Sequence, residues 1–280
     1  MKLHIHHLTE YRYSSPVSNN SNELRLTPPV TLWQRLPFFL LRVVPSSRLR
    51  RFQDFNQNTV TYFEIEEPHQ KLLIEAQSTV VTSDCYASGI PLGIPLSAFA
   101  STEWIEEIQP FFEPTTIVSI PPELWRAAVD ILTDQKDAYE LALAIMRYVY
   151  TTCSYVPGVT TVHTTSAEFF QTRRGVCQDF AHLMIALCRA LRVPARYVSG
   201  YLYDEQRRDI RGAHSTHAWV DVWIPGTGWY GLDPTNNCRV GETYVTLAVG
   251  RDYRDVSPVK GTYFGDGGCS MRIAVHIEPR

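Results

Sequence analysis

The sequence predicts an α+β protein whose first portion is all β and whose second portion places helices before an antiparallel sheet. Three observations carry this. Apolar and polar residues alternate with a period of two up to about residue 82, apolar residues then recur at helical spacing between Leu124 and Leu191, and the period of two returns from Ala195 onward. A chain of 280 residues with 44% hydrophobic and 20% charged side chains can bury one large core or two ordinary ones. It lies far from disordered, collagenous or coiled-coil compositions.

Alternating runs at 3–6, 38–44, 60–65 and 72–76, separated by Pro, Asn and Ser clusters, predict the strands of a β-sandwich-like N-terminal region. Residues 83–118 hold Pro91, Pro95, Pro110 and Pro114 and sustain no period, which predicts a connector with one helical turn near Trp104. The chain is accordingly divided into 1–115, the β region with its connector, and 116–280. After Pro121 and Pro122, Leu124, Ala127, Ala128 and Ile131 mark one helix; Tyr139, Leu141, Ala144, Ile145, Tyr148 and Val149 mark the next. A third helix is predicted over 176–191, with Phe180, Met184, Leu187 and Leu191 as its apolar stripe and Pro194 closing it. Strands are then predicted at 195–203, 217–224, 229–233, 244–249 and 272–277.

Charge and cysteine usage narrow the function classes. With 26 basic against 29 acidic side chains, net −3, there is no long-range attraction for a phosphate backbone or an anionic lipid surface, so neither nucleic acid nor membrane is expected as a partner. The most continuous apolar stretch, 36–44, is broken by Arg42 and is far shorter than a membrane span. Histidines interrupt the N-terminal residues where a secretory signal would be apolar, and a cytoplasmic protein is expected. Six cysteines without a C-x-x-C pair indicate neither a disulfide framework nor a cysteine-rich zinc site. No cofactor or metal is expected, His4-x-His6-His7 being the one cluster to consider.

The chemistry concentrates at Arg174-Gly175-Val176-Cys177-Gln178-Asp179-Phe180, where a cysteine occupies the first turn of a well-patterned helix. Unpaired backbone N–H groups and the positive end of the helix dipole favour a thiolate there. Cys188, mid-helix, reads instead as a core residue, and Asp179 as a cap on the helix start. A thiolate nucleophile needs a base. His182 is turned away from Cys177 on the same helix, and His163 stays open. His217 heads 217–224, whose period of two sets His217, Trp219, Asp221 and Trp223 on one face and Ala218, Val220, Val222 and Ile224 on the other.

The hairpin that follows makes a demand on register. A two-residue loop at Gly226-Thr227 would turn Asp233 away from His217, whereas an odd-length loop, such as three residues Gly-Thr-Gly, aligns Asp233 with Trp219 or Asp221 on the histidine face. The odd loop is predicted. Trp219, Trp223, Trp229 and Tyr230 serve either as cross-strand packing or as walls of a substrate groove.

The run 174–183, then His217-Ala218-Trp219, then Asp233-Pro234-Thr235-Asn236, resembles the bacterial transglutaminase-like family, described as predicted cysteine proteases within the transglutaminase-like superfamily. Tyr155-x-Pro157-Gly158 and the segment 249–258 extend the resemblance. So do Tyr11-Arg12-Tyr13, the segment 22–26 and Pro68-His69 in the family's N-terminal β region. One departure stands out: where that family carries Asp-x-x-Gly-Asn, this chain has Asp54-Phe55-Asn56-Gln57-Asn58.

The resemblance implies a papain-like, transglutaminase-core catalytic portion with Cys177 as nucleophile, His217 as base and Asp233 as orienting acid. The backbone N–H of Cys177, with Tyr155 or Gln178, would serve the oxyanion, and Trp219 is a candidate for the substrate site. The expected activity is cysteine-dependent hydrolysis of an amide bond through a thioester, on a peptide or an amide-containing polymer. Acyl transfer forming isopeptide bonds is the alternative, and a binding module without catalysis is the third reading. Oligomeric state is not legible.

Overall fold

The computed structural model describes residues 1–84, 86–87, 89–102, 105–133, 135–203 and 215–280. Five strands open the chain: β1 (Lys2–Leu24), β2 (Gln34–Val44), β3 (Arg50–Gln53), β4 (Thr59–Ile65) and β5 (His69–Thr82). All the expected runs form, but β1 continues far past residue 6. Its inward row passes from Leu3 and Ile5 to His7 and Thr9, all at most 1% exposed, so the polar residues that break the apolar pattern are nevertheless core residues. They are satisfied in place: His7 Nδ1 lies 2.8 Å from the Tyr201 hydroxyl and Nε2 lies 3.0 Å from Thr9 Oγ1.

After a short helix α1 (Phe99–Thr102), the C-terminal half supplies α2 (Pro122–Leu132), α3 (Ala138–Thr152), β6 (Ser154–Tyr155), α4 (Ser166–Thr172), β7 (Arg174–Gly175) and α5 (Cys177–Ala190). The helical turn expected near Trp104 falls at a residue outside those described. Helix α4 went unread because seven residues are too few to show a period. Its start was nonetheless written in Thr165-x-x-Glu168, which closes a reciprocal capping box. Next come β8 (Ala195–Leu202), β9 (Ser215–Ile224), β10 (Gly228–Asp233), β11 (Cys238–Arg239), β12 (Tyr244–Gly250), α6 (Tyr253–Val256), β13 (Val259–Phe264) and β14 (Cys269–Pro279).

These strands make a five-stranded antiparallel sheet ordered β11-β10-β9-β8-β12, and β6 pairs with β7 in a small parallel ladder. One expectation is corrected. The strand predicted at 272–277 exists as β14, but it pairs with β1, Ile277 opposite Ile5 and Ala274 opposite Leu8, and not with the C-terminal sheet. Strand β13 joins β1 as well, completing a seven-stranded sheet with β2, β5, β4 and β3.

Helix α5 sits at the centre of the second half. From Gln178 to Arg189 every residue is buried, because α2, α3 and α4 cover it on one side and Ala218, Val220, Val222 and Ile224 of β9 cover it on the other. Near its end the buried Arg189 donates to the carbonyls of Phe111, Glu113, Ala195 and Arg251, tying the connector, β8 and the approach to α6 to one guanidinium. Arg251 pairs with Asp255 at 2.9 Å, while Asp252 accepts from the Arg254 N–H and caps α6.

The two sheets meet at β12, an edge strand whose outward backbone groups are taken up by side-chain amides of the N-terminal region. Gln34 exchanges two hydrogen bonds with Thr246 at 2.9 and 3.0 Å, and Asn58 exchanges two with Val249, both at 2.8 Å. Among the described residues, no helix is long and apolar enough to cross a membrane.

Candidate active site

Cys177 occupies the first position of α5, half-exposed, where its backbone N–H has no intrahelical acceptor. The turn into the helix is fixed by Asp179, whose Oδ2 accepts from the Val176 N–H at 2.8 Å and from the Thr160 hydroxyl at 2.7 Å. Gly175 is required for this fold-back, since a Cβ there would stand 2.4 Å from that same oxygen. Burial pushes the Asp179 carboxyl up despite these two donors.

His217 comes from the start of β9 and Asp233 from the end of β10. The connection is the odd loop, Pro225, Gly226 and Thr227, with Ile224 paired to Gly228. It has the expected length, set one residue earlier than Gly-Thr-Gly, with Gly226 and Gly228 at φ +76° and +112° making the turn. Leu232 opposite Val220 continues to Asp233 opposite Trp219, so Asp233 shares the face of His217. His217 Nε2 lies 2.8 Å from Asp233 Oδ2, and both side chains are fully buried.

The other imidazole nitrogen, Nδ1, is buried without a hydrogen bond of good geometry. The Cys177 sulfur is close enough to favour the imidazolium. Burial alone would lower the His217 pKa; the Asp233 carboxylate, followed by Cys177, overrides this and raises it above the ordinary histidine range. Burial would likewise raise the Asp233 carboxyl, but His217, Asn236 and Tyr244 together hold it below the ordinary carboxylate range.

The structure thus brings Cys177, His217 and Asp233 together. Tyr155 pairs with Gly175 across β6 and β7, which sets it beside the helix start, where its ring packs 6.4 Å from that of Phe180. Gln178 is 9% exposed and makes one long contact, 3.5 Å, to the Thr161 carbonyl. Trp219 is buried beside His217, ring centroids 6.3 Å apart, and edge-on to Tyr244 at 5.3 Å. Cys188 is a core thiol pushed up to about 12 by burial. His182 is buried on α5, where its Nε2 accepts from the Tyr253 N–H. His4, His6 and His7 do not converge: they reach Thr79, Glu75 and Tyr201 respectively.

Two residues of the site went unread in the sequence. The Tyr244 hydroxyl donates to Asp233 Oδ2 at 2.8 Å and the Asn236 amide donates to the same oxygen at 2.7 Å. Asn236 stood in the Asp233-Pro234-Thr235-Asn236 turn without a role. Tyr244 carried no local signal, since it arrives from another strand.

Residues 126–234 match the transglutaminase-like superfamily, and residues 3–81 match the bacterial transglutaminase-like N-terminal region. The chain is 31% identical over 280 residues to an uncharacterised protein of Mycobacterium leprae, covering 99% of this chain and 98% of that one. A shorter match, 39% over 70 residues, covers 24% of this chain and 10% of a protein-glutamine gamma-glutamyltransferase of Pseudomonas aeruginosa. The crystal structure of a candidate cysteine protease from Cytophaga hutchinsonii superposes with a TM-score of 0.77 at 26% identity, covering 99% of this chain and 90% of that one. By its family matches, by full-length relationship and by fold, the chain belongs to the transglutaminase-like superfamily, with the N-terminal region of its bacterial members.

Proposed function

We propose that the protein is a cysteine-dependent amide-bond hydrolase in which Cys177 is the nucleophile, His217 the general base and acid, and Asp233 the residue that holds the imidazole. The observation that carries this is the polarity of His217: one nitrogen is held by a buried carboxylate at 2.8 Å and the other is left to the thiol at the head of α5. The Cys177 sulfur attacks the amide carbonyl carbon. The C–N bond breaks as the His217 imidazolium protonates the departing amine, leaving a thioester. Water, deprotonated by His217, then attacks the thioester; the C–S bond breaks and the carboxylic acid leaves. The Cys177 N–H is one donor to the oxyanion, and Tyr155, beside the helix start, or Gln178 supplies the second.

A peptide or amide-containing polymer is the proposed substrate, and the cytoplasm, where the thiol stays reduced, is the proposed compartment. The decisive experiment is activity profiling of wild type and Cys177→Ala against peptides and isopeptides. Hydrolysis that disappears in Cys177→Ala supports the reading; equal, slow alkylation of Cys177 and Cys188 together with no turnover would return it to a binding module. The similarity to a gamma-glutamyltransferase over 70 residues favours a second reading, acyl transfer to an amine. Partition of a trapped acyl-enzyme between water and an added amine separates the two.

A further inference from the structure

A cavity of about 520 Å³ opens on the face of the five-stranded sheet that carries His217. Its floor is Trp219, Asp221 and Trp223 of β9 with Trp229 of β10, and its roof is built by residues 29–34 and 56–58 of the N-terminal region. Neither Cys177 nor His217 lines it; the Trp219 indole stands between the cavity and the imidazole. Its size falls within the range of small-molecule sites.

The walls select a chemistry. Among the described residues that line it, Arg196 is the single cation and Asp221 the single acid. Arg196 spends two donors on Asp221 Oδ2 at 3.0 and 2.9 Å, so these two side chains together offer no net charge to an ionic ligand. The outward groups of β12 are already bonded to Gln34 and Asn58, so that edge is closed to an added peptide strand. What remains is aromatic surface and neutral hydrogen-bonding groups. Trp223 and Trp229 stand edge to face at 5.4 Å, with the Arg196 guanidinium 4.3 Å over Trp229. Asp221 Oδ1 and the side-chain amides of Asn56 and Gln57 have no hydrogen-bond partner among the described residues.

We propose that this cavity binds a neutral saccharide, a ring face against the indole of Trp223 and its hydroxyls bonded to Asp221, Asn56 and Gln57. Flat C–H faces suit aromatic walls, and hydroxyl groups both donate to the free carboxylate oxygen and accept from the amides. The site stands apart from the thiol chemistry, so binding is read in full-length Cys177→Ala protein, where activity plays no part.

Triacetylchitotriose and maltotriose are titrated separately, following tryptophan fluorescence and calorimetric heat, with a capped alanine tripeptide as the comparison. The expected result is saturable binding of at least one oligosaccharide. It should weaken at least tenfold in Trp223→Ala and in the surface double variant Asn56→Ala with Gln57→Ala, while the peptide does not bind. Should Trp223→Ala fail to fold, the double variant carries the test. Absence of binding by both oligosaccharides, binding unchanged in the variants, or equal binding of the tripeptide overturns the proposal.

Discussion

Asp233 accepts five hydrogen bonds: from the backbone N–H of Thr235 and Asn236 on Oδ1, and from His217, the Asn236 amide and the Tyr244 hydroxyl on Oδ2. A carboxylate so supplied stays ionised in a buried site, and its charge is what keeps His217 protonated there. The sign of the consequence follows. In wild type the imidazolium survives above the ordinary histidine range, and activity that needs it is lost only as pH rises through that raised value. Asp233→Asn removes that charge and leaves the burial, which lowers the His217 pKa with only the smaller effect of Cys177 opposing it. The alkaline limb of kcat/KM against pH is expected to move to lower pH, with an overall loss of roughly 10²–10⁴-fold. An alkaline limb that stays in place would show that another group sets it. Cys177, His217 and Asp233 could be nominated because each sits in a local pattern, a helix start, one face of a strand, a turn, and the family resemblance supplied their expected roles. Tyr244 was not, because its contact with Asp233 depends on β12 pairing with β8, and pairing of strands that no tight turn joins leaves no mark in residue spacing.

At the scale of the element, the hairpin β9–β10 converts loop length into chemistry. With three loop residues Asp233 falls opposite Trp219, on the His217 face; adding or removing one residue turns every later side chain of β10 to the other face. One glycine inserted after Gly226 is expected to break the His217–Asp233 contact or to force a bulge. Activity against any Cys177-dependent substrate should then fall to the level of Asp233→Ala, while the far-UV circular dichroism is retained. Deleting a second residue from the lengthened loop should restore both length and activity, and failure of that reversal would place the defect elsewhere than in register. The odd loop was legible because the two faces of 217–224 are chemically distinct and only one register unites the acid with the histidine. The sheet to which β14 belongs was not, because an alternating apolar row fits any sheet with an open edge. Its choice of β1 is made by a partner 256 to 276 residues away in the chain.

At the scale of the whole molecule, the polar contacts that join the two sheets have measurable consequences for stability. Burial, with a smaller repulsion from His6, lowers the His7 pKa from 6.5 to about 4. The unfolded chain therefore binds a proton between those values that the folded chain refuses, so stability is full above pH 6.5 and falls as pH drops toward 4, by about 3 kcal/mol at ~1.4 kcal/mol per unit. His7→Gln removes that titration, and its melting temperature should decline less steeply than that of wild type between pH 7 and pH 5. Gln34 and Asn58 act at any pH. Each amide fills both a donor and an acceptor on the edge of β12, and neither position showed this in the sequence, because the partners lie 212 and 191 residues downstream. Alanine at either position leaves a backbone N–H and a carbonyl of β12 without their partner, a loss of about 1–3 kcal/mol where water does not reach them. Thr246 and Val249 take separate amides, so the two losses are expected to add in urea unfolding. A double variant no less stable than wild type would mean that the apolar contact of Tyr201, Tyr203, Val245 and Leu247 with the N-terminal core holds the sheets together unaided.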